Sequence, residues 1–257
     1  MSEPEPLQTS LFDLVAPSPE IAAQRPIAPI PPPSPKESHL SPADYAQIPT
    51  SATVPIPPGT YPTLTELTEH CQACQRCELS QTRTHVVISR GNPEADLMII
   101  GEGPGQTEDE TGLPFVGRAG QLLEKILASV NLDSDKDVYI CNIVKCRPPG
   151  NRVPTLAESN ACRPYLLEQI RLVDPKIILL TGATAVKGVT GDTRGITKIR
   201  GTWIEWEGRL CMPILHPAYL LRNPSREVGG PKWLMWQDIQ AVQAKLQSLS
   251  PDHSVNH

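Results

Sequence analysis

From Thr63 onward, short unbroken apolar runs alternate with helix-length segments, and this alternation limits the fold more than any other feature of the sequence. Asp96–Gly101 (DLMIIG), Val138–Val144 and Lys176–Thr181 (KIILLT) read as strands without a polar face. Arg200–Trp206 and Arg209–Leu215 flank Glu207-Gly208 and predict a hairpin running into a last strand. Between them, Gly117–Val130 repeats Leu122, Leu123, Ile126, Leu127 and Val130 at helical spacing. Thr155–Val173 opens with an N-cap at Thr155 and Glu158 three residues on, a capping box. Gly182-Ala183-Thr184 turns into a short helix, and Lys232–Leu249 forms a final one. Strands apolar on both faces and separated by helices predict an α/β fold with a mostly parallel sheet covered on each side. Ligands in such folds collect beyond the carboxyl ends of the strands. The loops after Ile100, Val144, Thr181 and Leu215 are therefore the candidate site.

The first 62 residues have another character. Fifteen of the 29 prolines lie in the first 60 residues, in runs such as Ile30-Pro31-Pro32-Pro33-Ser34-Pro35. Such a segment buries too little apolar surface to offset its ordering entropy. The reading is a disordered Pro-rich tail over 1–62, a folded α/β domain over 63–250 and a disordered C-terminus over 251–257. Apolar stretches such as Lys176–Ala185 fall far short of the ~20 residues of a membrane-spanning helix. The acidic, proline-broken start Met1-Ser2-Glu3-Pro4 is unlike a secretory signal. A soluble, cytoplasmic protein with no membrane partner is expected. Seven cysteines are an odd number, which points to metal ligation before a disulfide framework.

The net charge of −5 is unevenly spread. Residues 1–62 carry six acidic and two basic side chains, which leaves about −1 for the rest. Arg194–Lys232 holds seven basic residues against three acidic, and Ile143–Pro164 four against one. Local patches govern attraction to phosphates, so nucleic acid remains a candidate partner.

Four groups of residues carry chemistry. Gly101-Glu102-Gly103-Pro104-Gly105 is a tight turn after a strand that exposes backbone N–H groups, and it matches neither a dinucleotide nor a P-loop motif. Phe115, one of two phenylalanines, sits in the continuing loop, where it either packs beneath the loop or stacks on a planar ligand. Cys71, Cys74 and Cys77 form C-x2-C-x2-C, with Cys146 and Cys162 further on. Four of these suit tetrahedral zinc or an iron–sulfur cluster, and the spread second pair favours the cluster. Cys141 and Cys211 lie inside predicted strands as small hydrophobes. Asn142 and His216 stand near strand ends, and His216 opens a proline-bounded loop with Leu220, Leu221, Arg222 and Asn223. An apolar tip beside basic residues suits either a packed loop or a wedge driven into DNA.

These segments, with Thr111–Gly120, Tyr139–Pro149, His216–Ser225 and Pro231-Lys232-Trp233, resemble the family 4, iron–sulfur uracil-DNA glycosylases over about residues 70–245. The resemblance implies a three-layer α/β/α sandwich with a central four-stranded parallel sheet and a monomer that excises uracil from DNA. It implies a [4Fe–4S] cluster on Cys74, Cys77, Cys146 and Cys162, with Cys71 as an alternative first ligand. It implies a uracil pocket of Glu102, Gly103, Glu108, Phe115, Asn142 and His216. Phe115 would stack on the base, Asn142 would read its edge and Glu108 would stand near C5. His216 would hold O2, and the first loop offers Glu102, with Glu108 and Asp109 further on, as carboxylates among which the sequence does not choose a partner for water. Leu220 or Leu221 would fill the vacated stack while Arg222, Ser225 and Lys232 meet phosphates. A same-fold glycosylase for another deaminated base and a non-catalytic cluster-bearing DNA-binding module are the competing readings. In the tail, Gln8-Thr9-Ser10-Leu11-Phe12 resembles the peptides that dock on the bacterial sliding clamp.

Overall fold

The apolar runs that end at Gly101, Asn142, Thr181 and Ile214 enter a single sheet in parallel and stop at one common edge. The computed structural model describes residues 54–249. Its strands are β1 (Arg90–Gly91), β2 (Leu97–Gly101), β3 (Val138–Asn142), β4 (Ile177–Thr181), β5 (Ile204–Trp206) and β6 (Arg209–Ile214). They lie in the order β1-β3-β2-β4-β6-β5. The pairs β3/β2, β2/β4 and β4/β6 are parallel, which gives the expected four-stranded core. β1 and β5 add antiparallel edges to it, for six strands in all. At two residues and without an apolar run, β1 carries no strand signal. It pairs at Gly91, where φ is +91° and a Cβ would stand 2.2 Å from the Val138 carbonyl oxygen.

The helices are α1 (Leu64–Gln72), α2 (Gln106–Thr111), α3 (Arg118–Ala128), α4 (Leu156–Val173), α5 (Ala183–Thr190), α6 (Ile196–Ile199), α7 (Pro217–Arg222) and α8 (Pro231–Leu249). Every residue of β2, β3 and β4 is buried, as strands covered on both faces must be. Met98, Ile100, Tyr139, Cys141, Ile178 and Leu180 pack with Leu166 and Ile170 of α4 and Val186 and Val189 of α5. The alternate residues face the other way, toward the layer in which α3 packs on α7 and α8. The Thr155 capping box forms as expected and fixes where α4 begins.

The tail boundary at residue 62 needs correction. Ile56 and Tyr61 are buried, and the Gly59 and Tyr61 amides donate to the Glu168 carboxylate at 2.8 and 3.2 Å. Arg76 donates to the Val54 carbonyl at 2.7 Å. Two apolar anchors among prolines suffice to lay 54–62 against α1 and α4, although no periodicity announces them. Among the described residues, no helix is long and apolar enough to cross a membrane. The peptide Gln8–Phe12 and residues 251–257 lie outside the described residues.

Candidate active site at the carboxyl ends of the parallel strands

A cleft of about 820 Å³ opens where the four parallel strands end. Glu102 and Gly103 line it after β2, Asn142 at the end of β3, Gly182 and Thr184 after β4, and His216 after β6. This is the position the topology favours, since β2 has its sequence neighbour β3 on one side and β4 on the other.

Two glycines let the cleft wall close up. A Cβ on Gly101 would lie 2.4 Å from the Asn142 Oδ1 and 2.5 Å from the Phe115 ring. A Cβ on Gly120 would lie 1.9 Å from the Phe115 carbonyl oxygen. Phe115 itself is held at φ 54°, a left-handed conformation that bulky residues rarely adopt and that concentrates at functional sites. Arg90 restrains that loop by donating to the Pro114 and Phe115 carbonyls. The Phe115 and His216 rings stack with centroids 6.0 Å apart and planes inclined by 28°.

Asn142 is 2% exposed, and its Oδ1 has no hydrogen-bond partner. Buried polar atoms are nearly always paired, so an orphaned acceptor in a cleft marks a place for a donor from a ligand. Asn151 was not singled out in the sequence. It lines the same cleft at φ 56°, with its Oδ1 accepting from Arg147 Nε at 2.7 Å.

His216 caps α7, and its Nδ1 accepts the Ala218 N–H at 3.1 Å. Burial pulls its pKa down to about 4, with Arg222 adding to the fall and Glu108 opposing it. The ring is therefore neutral at pH 7, and with Nδ1 an acceptor the proton sits on Nε2. That is a hydrogen-bond donor without a full charge.

Three of the four acidic side chains of the first loop, Glu102, Glu108 and Asp109, have separate fates. Glu108 Oε1 accepts from the Val116 and Gly117 amides at 3.0 and 2.7 Å, and its Oε2 accepts from Gly105 at 3.1 Å. Glu108 thus clasps two loops together while lining the cleft. Asp109 is buried and accepts from the Thr84 amide at 2.9 Å. Glu102 is half-buried in the cleft and takes a hydrogen bond from Thr184 Oγ1, which leaves its other oxygen without a protein partner among the described residues. Thr184 was visible in the sequence only as part of a turn.

The segment after His216 also departs from expectation at one residue. Leu220 is 1% exposed and part of the core, whereas Leu221 is 38% exposed beside Tyr219. An α-helical turn places neighbours on different faces, and the sequence pattern of a loop could not choose between them. Arg222 and Ser225 are exposed, and Lys232 is half-buried at the start of α8.

A second cavity lies behind the exit of β3, lined by Cys71, Cys74, Cys77, Cys146 and Cys162 together with Arg76, Arg83 and Lys145. Arg83 approaches the Cys146 sulfur at 3.3 Å. Burial pushes the Cys146 thiol up to about 11 and the Cys162 thiol up to about 12, so neither ionises unaided at neutral pH. Among the described residues, no three His, Cys, Asp or Glu side chains are gathered for a single metal ion. The five cysteines line one cavity together. Cys141 and Cys211 are buried in strands, apart from this cavity.

The uracil DNA glycosylase superfamily matches residues 88–240 of the chain. A type-4 uracil-DNA glycosylase of Thermotoga maritima is 46% identical over 168 residues, which is 65% of this chain and 85% of the relative. Enzymes of the same name from Sulfurisphaera tokodaii and Saccharolobus solfataricus are each 41% identical. The matches cover 58% and 57% of this chain and 71% and 72% of those relatives. With the matched region spanning all six strands and the whole cleft, the chain belongs to the uracil-DNA glycosylase superfamily, among the type-4 enzymes.

Proposed function

We propose that the cleft receives a uracil flipped out of DNA and hydrolyses its N-glycosidic bond, leaving an abasic site for repair. A base inside the duplex is out of reach, so extrusion must precede chemistry. The orphaned Oδ1 of Asn142 carries this reading. It accepts the uracil N3–H while the same amide donates to O4, a pairing that cytosine lacks. A buried site built around such bonds rejects the wrong pattern strongly. Phe115 stacks on the base. Negative charge grows at uracil O2 as the C1′–N1 bond breaks, and the Nε2–H of neutral His216, with amides of the Gly101–Gly105 turn, stabilises it. One such donor is worth about 2.7–4 kcal/mol in the transition state. Glu102 orients the attacking water, because Glu108 and Asp109 are committed to backbone amides. Leu221 fills the gap left by the base, and Arg222, Ser225 and Lys232 contact phosphates.

The cysteine-lined cavity fits a [4Fe–4S] cluster on Cys74, Cys77, Cys146 and Cys162. Five sulfurs with three cationic side chains suit a bulky, thiolate-ligated, anionic group better than a single ion. Cys71, at 1% exposure on the inward face of α1, remains a neighbour of the site. When bound, the cluster contributes folding energy, since hydrolysis moves no net electrons. Beyond DNA, Gln8–Phe12 would tether a monomeric enzyme to the sliding clamp in the cytoplasm. A peptide spanning Glu5–Val15 should bind the clamp at roughly micromolar affinity. Leu11→Ala with Phe12→Ala should abolish that binding, and undiminished binding would remove the idea.

The activity test is free-base release from oligonucleotides containing uracil, thymine, hypoxanthine or xanthine. Release of uracil and not thymine is expected. Release of hypoxanthine or xanthine alone would favour the related deaminated-base enzyme, and DNA binding without release a non-catalytic module.

A further inference from the structure

The turn that leaves β4 is fastened to both strands whose ends present Glu102 and His216. Thr181 Oγ1 donates to the Ile100 carbonyl at 3.0 Å, just ahead of Gly101-Glu102. The Gly182 amide donates to the Ile214 carbonyl at 2.9 Å, two residues ahead of His216. Gly182 sits at φ +89°, and a Cβ there would stand 3.3 Å from the His216 Cβ. Two residues on, the half-buried Thr184 donates through Oγ1 to Glu102 Oε2 at 2.5 Å. At the far end of α5 the Thr190 hydroxyl bonds back to the Val186 carbonyl, the ordinary use of a helical threonine. Thr184 stands in the first turn, with no helical carbonyl four residues behind it, and turns its hydroxyl out to Glu102. A glutamate at the wall of an 820 Å³ cleft samples several rotamers, and holding one carboxylate oxygen fixes the direction of the other.

We propose that Thr184 is a positioning residue for the hydrolysis: by holding Glu102 Oε2 it turns Oε1 toward the attacking water. Because the same turn is bonded to β2 and β6 and packs on His216, it also sets that water relative to the donor at uracil O2. The inference rests on the water-orienting role given above to Glu102. It explains why a threonine follows Gly182-Ala183, where an alanine would serve the helix better.

The test is single-turnover excision from a uracil-containing single strand over a range of protein concentrations. Thr184→Val and Thr184→Ser are made in the parent, and Thr184→Val also in Glu102→Ala. Thr184→Val keeps the branched shape and loses the hydroxyl. It should lower the saturated rate about tenfold, the scale of coupling between contacting residues, and leave the half-saturating concentration unchanged. Thr184→Ser restores the hydroxyl and should recover the rate. In Glu102→Ala no carboxylate remains to be held, so Thr184→Val should cost no further rate. Thr184→Val at the parent rate, an equal loss in both backgrounds, or a loss that Thr184→Ser does not recover would overturn the inference alone. A Glu102→Ala protein as fast as the parent would overturn the water-orienting role itself, and the inference with it. If Thr184→Val does not fold, Thr184→Ala takes its place with the same expected losses.

Discussion

The carbonyl oxygen of Phe115 lies 1.9 Å from where a Cβ on Gly120 would stand, so the loop bearing the aromatic ring rests directly on the first turn of α3. Neither side of this contact is a flexible side chain. Gly120→Ala must displace backbone, and overpacking of this kind typically costs about 1–3 kcal/mol. Chemical denaturation should register that loss, and uracil excision should fall with it because Phe115 moves. A variant with parent-like stability and activity would mean that the loop is not anchored there.

His216 gives a pH prediction with a definite sign. Its folded pKa of about 4 lies below the usual histidine value of 6.5, so the unfolded chain binds the extra proton more readily. The stability it contributes is complete above about pH 6.5 and is lost as the pH falls toward 4. Comparing the parent with His216→Gln by denaturation from pH 7 to pH 4 should show the parent losing stability faster. His216→Gln or His216→Ala should also reduce excision about 10²–10³-fold at pH 7, and excision should show no histidine titration between pH 6 and 8. A rate that rises on acidification through pH 6.5 would indicate a charged imidazole and contradict this role.

Iron content separates the cysteines. Alanine at Cys74, Cys77, Cys146 or Cys162 should remove iron and colour and lower stability, because metal-binding energy is also folding energy. Alanine at Cys141 or Cys211, which stand in β3 and β6, should keep both. Loss of iron in Cys71→Ala but not in Cys74→Ala would shift the ligand set by one cysteine.

The two leucines of α7 should now behave differently. Leu220→Ala removes a core side chain and should cost about 2–5 kcal/mol. Leu221→Ala should leave stability nearly unchanged and slow excision from duplex DNA more than from single strands, because only the duplex needs its gap filled. Equal effects on both substrates would remove the wedge.

Much of this architecture was legible because β2, β3, β4 and β6 are buried on both faces and need continuous apolar runs. Strand ends then located the cleft, and Glu102, Asn142 and His216 fall on it. What remained hidden depends on contacts with no sequence period. The packing of Ile56 and Tyr61, the edge strand at Gly91 and the choice between Leu220 and Leu221 are of that kind. So is the engagement of Glu108 by three amides, since a carboxylate in a glycine-rich loop reads equally well as ligand contact or as loop clasp. Its hydrogen bond from the Gly105 amide ties the start of α2, but with glycine at the N-cap no capping-box pattern announced it.

The central claim is that the unpaired Asn142 oxygen recognises uracil, and single-turnover excision from a uracil-containing single strand by the parent and by Asn142→Ala tests it most directly. The variant is expected to keep its iron and its fold while excising uracil about 10²-fold more slowly or worse. An iron-replete Asn142→Ala protein that releases uracil at the parent rate would contradict the account.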